Sequence, residues 1–343
     1  MVKSRLVSRL ALFGSFFALC VIALGAFTRL IDAGLGCPDW PGCYGHLTVP
    51  LSHGAELAAN LKYPTTHLVA YKAWAEMIHR YFVGVLSFLI LSIVSLIFAQ
   101  KSARSRSNLI FAVSLMVLLC YQIMLGQWTV TLKLLPVIVS QHLLGGFLIV
   151  SLLWMLYLNN KHNEPMDLIL VNRCRQLLPW AVIALLLVLF QISLGAWTST
   201  NYASLSCPDF PLCVNGQSLI FYWKAAFNLI SPVGINYEGG VLPTAIRQTI
   251  QMTHRFGALI LTTYLLVFLS IAFHQVKRSL RLMQTLYLII GLLCIQIGIG
   301  ISNVIFKLPL ATAIAHNLVA ALLLLAVITL VFQLATTHHK AST

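Results

Sequence analysis

The chain has few charged residues, and acidic residues are the scarcest among them. Only 8 of its 343 residues are Asp or Glu, against 22 Lys and Arg, and charged residues make up 9% of the whole. Hydrophobic residues reach 59%, and the mean hydropathy is +0.89. A soluble globular protein of this length cannot cover its surface with so few charges. The composition therefore excludes a soluble enzyme and predicts an integral membrane protein.

Several cofactor and partner patterns are missing as well. The chain contains no Gly-rich nucleotide-binding loop, and its 8 cysteines are not spaced as ligands of an iron–sulfur cluster. Its net charge of +14 is not arranged in the basic stripes with stacking aromatic residues that nucleic-acid binders use. We therefore expect no nucleic-acid partner, an attraction of the basic residues to lipid head groups, and an external electron donor for any redox chemistry.

Eight apolar runs are long enough to cross ~30 Å of hydrocarbon as helices. The sequence thus predicts an all-α membrane protein with eight transmembrane helices. Basic residues such as Lys101, Arg173 and Lys277 lie in short loops on the side of the N-terminus, which predicts cytoplasmic termini in a bacterial-type cell membrane. Two long loops, 29–70 and 199–242, then lie outside the cytoplasm. The runs span 8–28, 71–99, 108–131, 136–160, 173–198, 243–273, 281–304 and 308–336.

The chain repeats itself about 170 residues apart. The segment Leu24–Thr28 returns as Leu194–Thr198, and Cys37–Cys43 returns as Cys207–Cys213. Such internal similarity indicates a duplicated structural unit. We therefore predict two duplicated four-helix bundles, an N-terminal repeat over 1–160 and a C-terminal repeat over 161–343.

Each repeated cysteine pair encloses five residues, among them Pro-Asp-aromatic-Pro. The chain must turn sharply there, which lets the Cα atoms approach within the ~4.4–6.8 Å that a disulfide needs, in a compartment that permits oxidation. We expect one disulfide between Cys37 and Cys43 and another between Cys207 and Cys213. Each bond either staples its loop or exchanges electrons with an outer partner, and the sequence leaves both possibilities open.

Histidines recur in pairs at matched depth within the apolar spans. The first pair is His79 and His142, and the second is His254 and His316. Facing histidines in a four-helix bundle are typical of a bis-histidine heme site, and ionisable residues within a membrane are usually functional. The arginine that follows the first histidine of each pair suits either a heme propionate or a lipid phosphate. These arginines are Arg80 and Arg255. The other histidines, His46, His53, His67, His162, His274, His338 and His339, are expected at the surface.

The two repeats differ at one chemically important position. Glu76 lies one helical turn before His79, whereas the matching residue of the second repeat is Gln251. A carboxylate within a membrane is costly, so its presence in one copy suggests proton chemistry in that copy alone. The alternative is a simple ion pair with Arg80 or Lys72.

These features together closely resemble the heme A synthase family, whose members help to assemble heme-copper cytochrome oxidases. The similarity covers about residues 8–336 and includes Glu76–Arg80, Gln141-His142, Thr253–Arg255, Ala315–Asn317 and both outer Cys-Pro-Asp-aromatic-Pro-x-Cys loops. The resemblance implies oxidation of the C8 methyl group of heme O to a formyl group, through two hydroxylations and loss of water from a gem-diol.

The resemblance also assigns roles within the two repeats. It implies that His254 and His316 bind a heme b cofactor, while His79 and His142 surround the substrate heme. Glu76 would be the functional carboxylate. The first cysteine pair, Cys37 with Cys43, would be implicated in activity, and the second pair would be structural.

Other functional classes also fit the residues. A di-heme b-type electron carrier would hold two equivalent hemes, and a heme transfer protein would pass a heme to oxidase subunits. A thiol oxidase would use the outer cysteines but would not need four intramembrane histidines. The expected partners are heme O, the farnesyltransferase that makes it (heme O synthase) and oxidase assembly factors, and the sequence leaves a homo-oligomer open.

Overall fold

The computed structural model describes residues 4–161, 168–215 and 219–336. Within these ranges the chain forms helices and no β-strand. Eight of the helices are long and apolar enough to cross a membrane, which confirms the predicted all-α, multi-pass architecture. The helices are α1 (Arg5–Leu30), α2 (His53–Lys62), α3 (Ala70–Ala99), α4 (Arg106–Thr131), α5 (Pro136–Asn160), α6 (Leu168–Thr200), α7 (Trp223–Ala226), α8 (Thr244–Val276), α9 (Leu280–Ile305) and α10 (Leu310–Ala335).

Polar residues fix the ends of the spanning helices. Ser4, Ser105 and Ser279 precede α1, α4 and α9, and each side chain accepts a backbone N–H three residues further on, at 3.2 to 3.4 Å. Pro136 begins α5. Its lack of an N–H costs no hydrogen bond there, because N–H groups in the first turn have no partner within the helix. The short helices α2 and α7 lie in the two long loops and were not predicted, because neither carries a long apolar run.

The long helices of each half pack in the same order. In the first half, α1 and α4 both pack against α3 and α5, and in the second half, α6 and α9 both pack against α8 and α10. The halves meet along α1, α5, α6 and α10, where buried side chains such as Leu153 and Leu324 belong to one continuous apolar core. The matching order supports the predicted duplication, and the boundary at 160/161 stays a prediction.

The two halves also share an unusual turn. Between α4 and α5, Lys133 and Leu134 have φ of 49° and 60°, and between α9 and α10, Lys307 and Leu308 have φ of 54° and 62°. Residues with a side chain rarely adopt this left-handed conformation. Both turns carry the same Lys-Leu pair in the same strained conformation, which is expected of two copies of one unit.

At the junction between the halves, Arg29 of α1 contacts the C-terminal end of α6 and Tyr202, which follows it. Its guanidinium donates to the carbonyl of Ser199 at 2.7 Å and lies 3.7 Å from the centre of the Tyr202 ring. The Tyr202 hydroxyl donates to Asp32 at 2.9 Å, and burial raises the pKa of Tyr202, so the phenol stays protonated. Asp32 and Tyr202 occupy equivalent repeat positions, as do Arg29 and Ser199. Contacts between equivalent residues are typical of an interface with two-fold symmetry.

Candidate functional site

Each half carries its histidine pair on two of its four spanning helices. His79 lies on α3 and His142 on α5 of the first half, and His254 lies on α8 and His316 on α10 of the second half. All four side chains are largely shielded by the surrounding helices. In each half the two histidine-bearing helices pack against the same two neighbouring helices, so the members of each predicted pair lie within one group of four packed helices.

A glycine on a neighbouring helix lies against every one of these four rings. A Cβ atom added to any of these glycines would approach the imidazole Cε1 more closely than most real Cβ contacts allow. The glycines thus leave room for the Cε1 edge of each ring beside a helix backbone. The four contacts are Gly25 with His79 at 3.0 Å, Gly126 with His142 at 3.4 Å, Gly195 with His254 at 3.2 Å and Gly300 with His316 at 3.2 Å.

The second half contains a cavity of about 410 Å³ into which His254 and His316 both face. This volume lies within the range of ~300–1,000 Å³ that is usual for cofactor sites. Four amide oxygens of lining residues are buried, and none of them has a hydrogen-bond partner among the described residues. A largely apolar cavity with two facing imidazoles and unpaired polar groups fits a heme. The amides belong to Gln191, Gln251, Gln296 and Asn303.

The first half differs at Glu76, whose side chain is buried one turn before His79. Its Oε2 accepts the backbone N–H of Cys37 at 2.8 Å, and its Oε1 forms an ion pair with Arg80. Lys72, the other partner considered from sequence, instead pairs with Glu238 at 3.5 Å. The Glu76 carboxylate is thus compensated by one positive charge and one backbone donor.

Both arginines hold the adjacent cysteine loop to the histidine helix. In each case a single guanidinium nitrogen, Nη1, donates to three loop carbonyls. The remaining Nη2 differs between halves, since that of Arg80 binds Glu76 and that of Arg255 binds the carbonyl of Cys207 at 3.0 Å. The suggested role toward heme propionates stays a prediction. The carbonyls belong to Asp39, Pro41 and Gly42 for Arg80, and to Asp209, Pro211 and Leu212 for Arg255.

In the structure, disulfides join Cys37 to Cys43 and Cys207 to Cys213, with Cα atoms 4.8 and 4.2 Å apart. All four residues are buried, at 0 to 4% exposure. Thiol exchange with a partner protein requires access to a sulfur atom. Burial therefore favours the stapling role over direct exchange.

Tyr44 is a site residue that the sequence did not reveal. It follows Cys43, is 2% exposed, and donates its N–H to Asp39 at 2.6 Å and its hydroxyl to the Thr66 carbonyl at 3.2 Å. Burial raises the pKa of Tyr44 to about 12, and the nearby negative charges of Glu76 and Asp39 add to this effect. No repeat signal could have found Tyr44, because the second loop has Val214 at this position.

The remaining predicted surface histidines fall into two groups. His46, His53, His67 and His274 are exposed. His162, His338 and His339 lie outside the described residues.

Comparison with known proteins agrees with this architecture. The heme A synthase of Shewanella oneidensis is 42% identical over 327 residues, which cover 95% of each chain. That of Rickettsia prowazekii is 26% identical over 93% of this chain and 95% of its own, and that of Bacillus licheniformis is 24% identical over 87% and 86%. The family described as cytochrome oxidase assembly protein matches residues 8–328. Because that match extends over nearly all of the spanning helices, the chain belongs to the cytochrome oxidase assembly protein family.

Proposed function

We propose that this protein is a heme A synthase, which oxidises the C8 methyl group of heme O to a formyl group and so produces heme A for cytochrome oxidase. The full-length similarity to a heme A synthase supports this function. The observation that carries it is an asymmetry between two otherwise matching histidine pairs, since the buried carboxylate of Glu76 accompanies only the first. An electron carrier that holds two equivalent hemes would not require a carboxylate beside only one of them.

The second half is the permanent cofactor site in this proposal. His254 and His316 would ligate the iron of heme b in the cavity of about 410 Å³ that they line. When bound, heme b supplies one-electron transfer from an external donor. The neutral amide of Gln251 stands where the first half has Glu76, so this cavity offers packing and hydrogen bonds without a carboxylate.

The first half is the substrate site. His79 and His142 would hold the iron of heme O. The surrounding helices would then position the edge of the heme macrocycle. Glu76 is fixed by the N–H of Cys37 at 2.8 Å and by Arg80, so its free lone pairs have a defined direction. Glu76 then accepts protons released as the methyl group is oxidised, or stabilises positive charge on the substrate.

The proposed topology places the termini in the cytoplasm and the cysteine loops outside it, where disulfides form. Heme O, with its farnesyl tail, comes from a membrane-bound farnesyltransferase, and the product passes to oxidase assembly factors. The electron carrier and heme transfer alternatives are not favoured, because the full-length relatives are heme A synthases.

The test is to purify the protein from cells that supply heme O and to identify the extracted hemes by chromatography and mass. The wild type should contain heme B together with heme O, heme A or a hydroxylated intermediate. His79→Ala should retain heme B and lose the others, whereas the matched variant His254→Ala should lose heme B. Two equivalents of heme B with no modified heme in the wild type would contradict the proposal.

A further inference from the structure

His254 differs from the other three intramembrane histidines in the surroundings of its Nδ1 atom. The amide nitrogen of Gln191, on α6, lies 3.1 Å from this Nδ1 and 3.0 Å from the His254 carbonyl oxygen. The Nδ1 atoms of His79, His142 and His316 are buried and have no hydrogen-bond partner within the described ranges. Gln191 is thus the one partner of an Nδ1 atom in these four rings within the described ranges, whereas the amide nitrogen of Gln296 lies 3.3 Å from the other ring nitrogen, Nε2, of His316.

Gly257 provides the space that Gln191 occupies. It lies on α8, three residues after His254, and a Cβ atom at this position would be only 2.3 Å from Oε1 of Gln191. Any residue larger than glycine would push the amide away from the ring. The observed position of the Gln191 side chain thus requires glycine at position 257.

The first half replaces both members of this pair. The residues at the matching repeat positions are Val21, which is buried and apolar, and Phe82, whose ring stacks on Phe17 with centroids 5.4 Å apart. An apolar valine cannot hydrogen-bond an imidazole, and a phenylalanine lacks the space that Gly257 leaves for an amide. The Nδ1 of His79 is accordingly left without a partner among the described residues.

We propose that Gln191 is the positioning residue of His254 and that it makes the second half the site that retains its heme. This inference rests on the proposed heme b site. Hydrogen bonds to the outer nitrogen of a ligating histidine fix the ring orientation and strengthen the ligand, and their loss typically lowers metal affinity about 10–100-fold. The absence of such a bond at His79 suits a site whose heme must be exchanged after each turnover.

Iron ligation also defines which atom of the amide faces the ring. A histidine that binds iron through Nε2 carries its proton on Nδ1, which then needs an acceptor. If the Gln191 amide is rotated by half a turn, its oxygen lies beside Nδ1 and accepts the Nδ1–H. The amide nitrogen then no longer donates to the His254 carbonyl. In the present orientation that oxygen is buried and unpaired, so heme binding gives it a donor.

The experiment compares Gln191→Met, which keeps the length of the side chain but removes the acceptor, with Gln191→Glu, which keeps an acceptor. Each protein is purified with its heme, and the transfer of heme B to excess apomyoglobin and the midpoint potential are measured. Gln191→Met should release heme B about 10–100-fold faster than the wild type and have a higher potential. Gln191→Glu should retain heme B and have a lower potential, because a stronger acceptor on Nδ1–H stabilises the ferric ion.

Gln122→Met is the matched control, because it removes a buried glutamine from the first half and should leave heme B unchanged. Wild-type release and potential in Gln191→Met would overturn the inference. If Gln191→Met cannot be purified with heme, the potential of Gln191→Glu decides, and an unchanged value counts against the inference. The proposed function fails separately, if His254→Ala leaves the content of heme B unaltered.

Discussion

The backbone N–H of Cys37 donates to the Glu76 carboxylate at 2.8 Å, which joins the first disulfide loop directly to the helix that carries His79. Arg80 strengthens this link, because it pairs with Glu76 and also binds the loop. In the second half the residue in place of the carboxylate is Gln251, whose Oε1 has no partner among the described residues. The first loop is thus part of the environment of Glu76, and its counterpart lacks that connection.

The first prediction concerns Glu76 itself. Glu76→Gln preserves the shape of the side chain and an oxygen that can accept the Cys37 N–H, but it removes the negative charge. We expect the variant to keep heme B in the second half and to lose heme A and hydroxylated intermediates almost completely, measured by extraction and chromatography. The matched change Gln251→Asn, at the equivalent position, should leave conversion largely intact. Normal heme A formation by Glu76→Gln would disprove the role of the carboxylate.

The second prediction compares the two disulfides. Replacing both cysteines of a loop by serine removes a cross-link that closes a short loop, worth about 2 kcal/mol in the chain-entropy model. Because the first loop binds a carboxylate of the histidine-bearing helix, Glu76, and the second loop faces Gln251 there, Cys37→Ser with Cys43→Ser should reduce heme A formation much more than Cys207→Ser with Cys213→Ser. Heme extraction from both double variants measures this difference. Equal losses in the two proteins would mean that the loops serve only to stabilise the fold.

Composition and repetition were sufficient to predict much of this structure. The eight predicted spans agree with the helices to within a few residues at most ends, because long apolar runs leave little choice in a membrane. The repeat pointed to the two histidine pairs, and the contrast between Glu76 and Gln251 distinguished the halves. All of these signals are visible along a single chain.

Contacts between different helices could not be predicted in the same way. Gly84, Gly126, Gly298 and Gly300 all lie in predicted apolar spans, and the sequence gives no reason to distinguish among them. In the structure Gly126 and Gly300 lie against imidazoles, whereas an added Cβ at Gly84 or Gly298 would meet no atom within 4 Å. Which face of a helix meets a neighbour depends on the packing angle between helices, and a single sequence does not specify that angle.

The third prediction uses this difference between glycines on the same helix. Gly300→Val places a branched side chain where a Cβ already lies 3.2 Å from the His316 ring, so it should displace the ring and weaken heme B binding. Gly298→Val, two residues earlier, enters open space and should leave heme B content near that of the wild type. The absorption spectrum of each purified variant gives the measurement. Full heme content in Gly300→Val would show that this glycine has no role in placing His316.

The fourth prediction concerns the junction between the halves, where Arg29 bonds to the Ser199 carbonyl at 2.7 Å and stacks on Tyr202. A hydrogen bond from a charged group contributes about 1.5–3 kcal/mol, and a shielded cation–π contact contributes about 0.5–2 kcal/mol. Arg29→Met should therefore lower the free energy of unfolding by about 2–4 kcal/mol, measured by denaturation in detergent. Tyr202→Phe keeps the ring and removes the hydroxyl with its bond to Asp32, so it should cost about 1 kcal/mol.

The comparison of these two variants separates the stacking contact from the hydroxyl. If both cost the same small amount, the arginine contributes no more to stability than the tyrosine hydroxyl does. If Arg29→Met costs the larger amount, this end of the junction depends on the arginine. Arg29 also pairs with Asp32 of its own half at 3.5 Å, but its contacts with Ser199 and Tyr202 cross between the halves, so unfolding of Arg29→Met should then begin by separation of the halves.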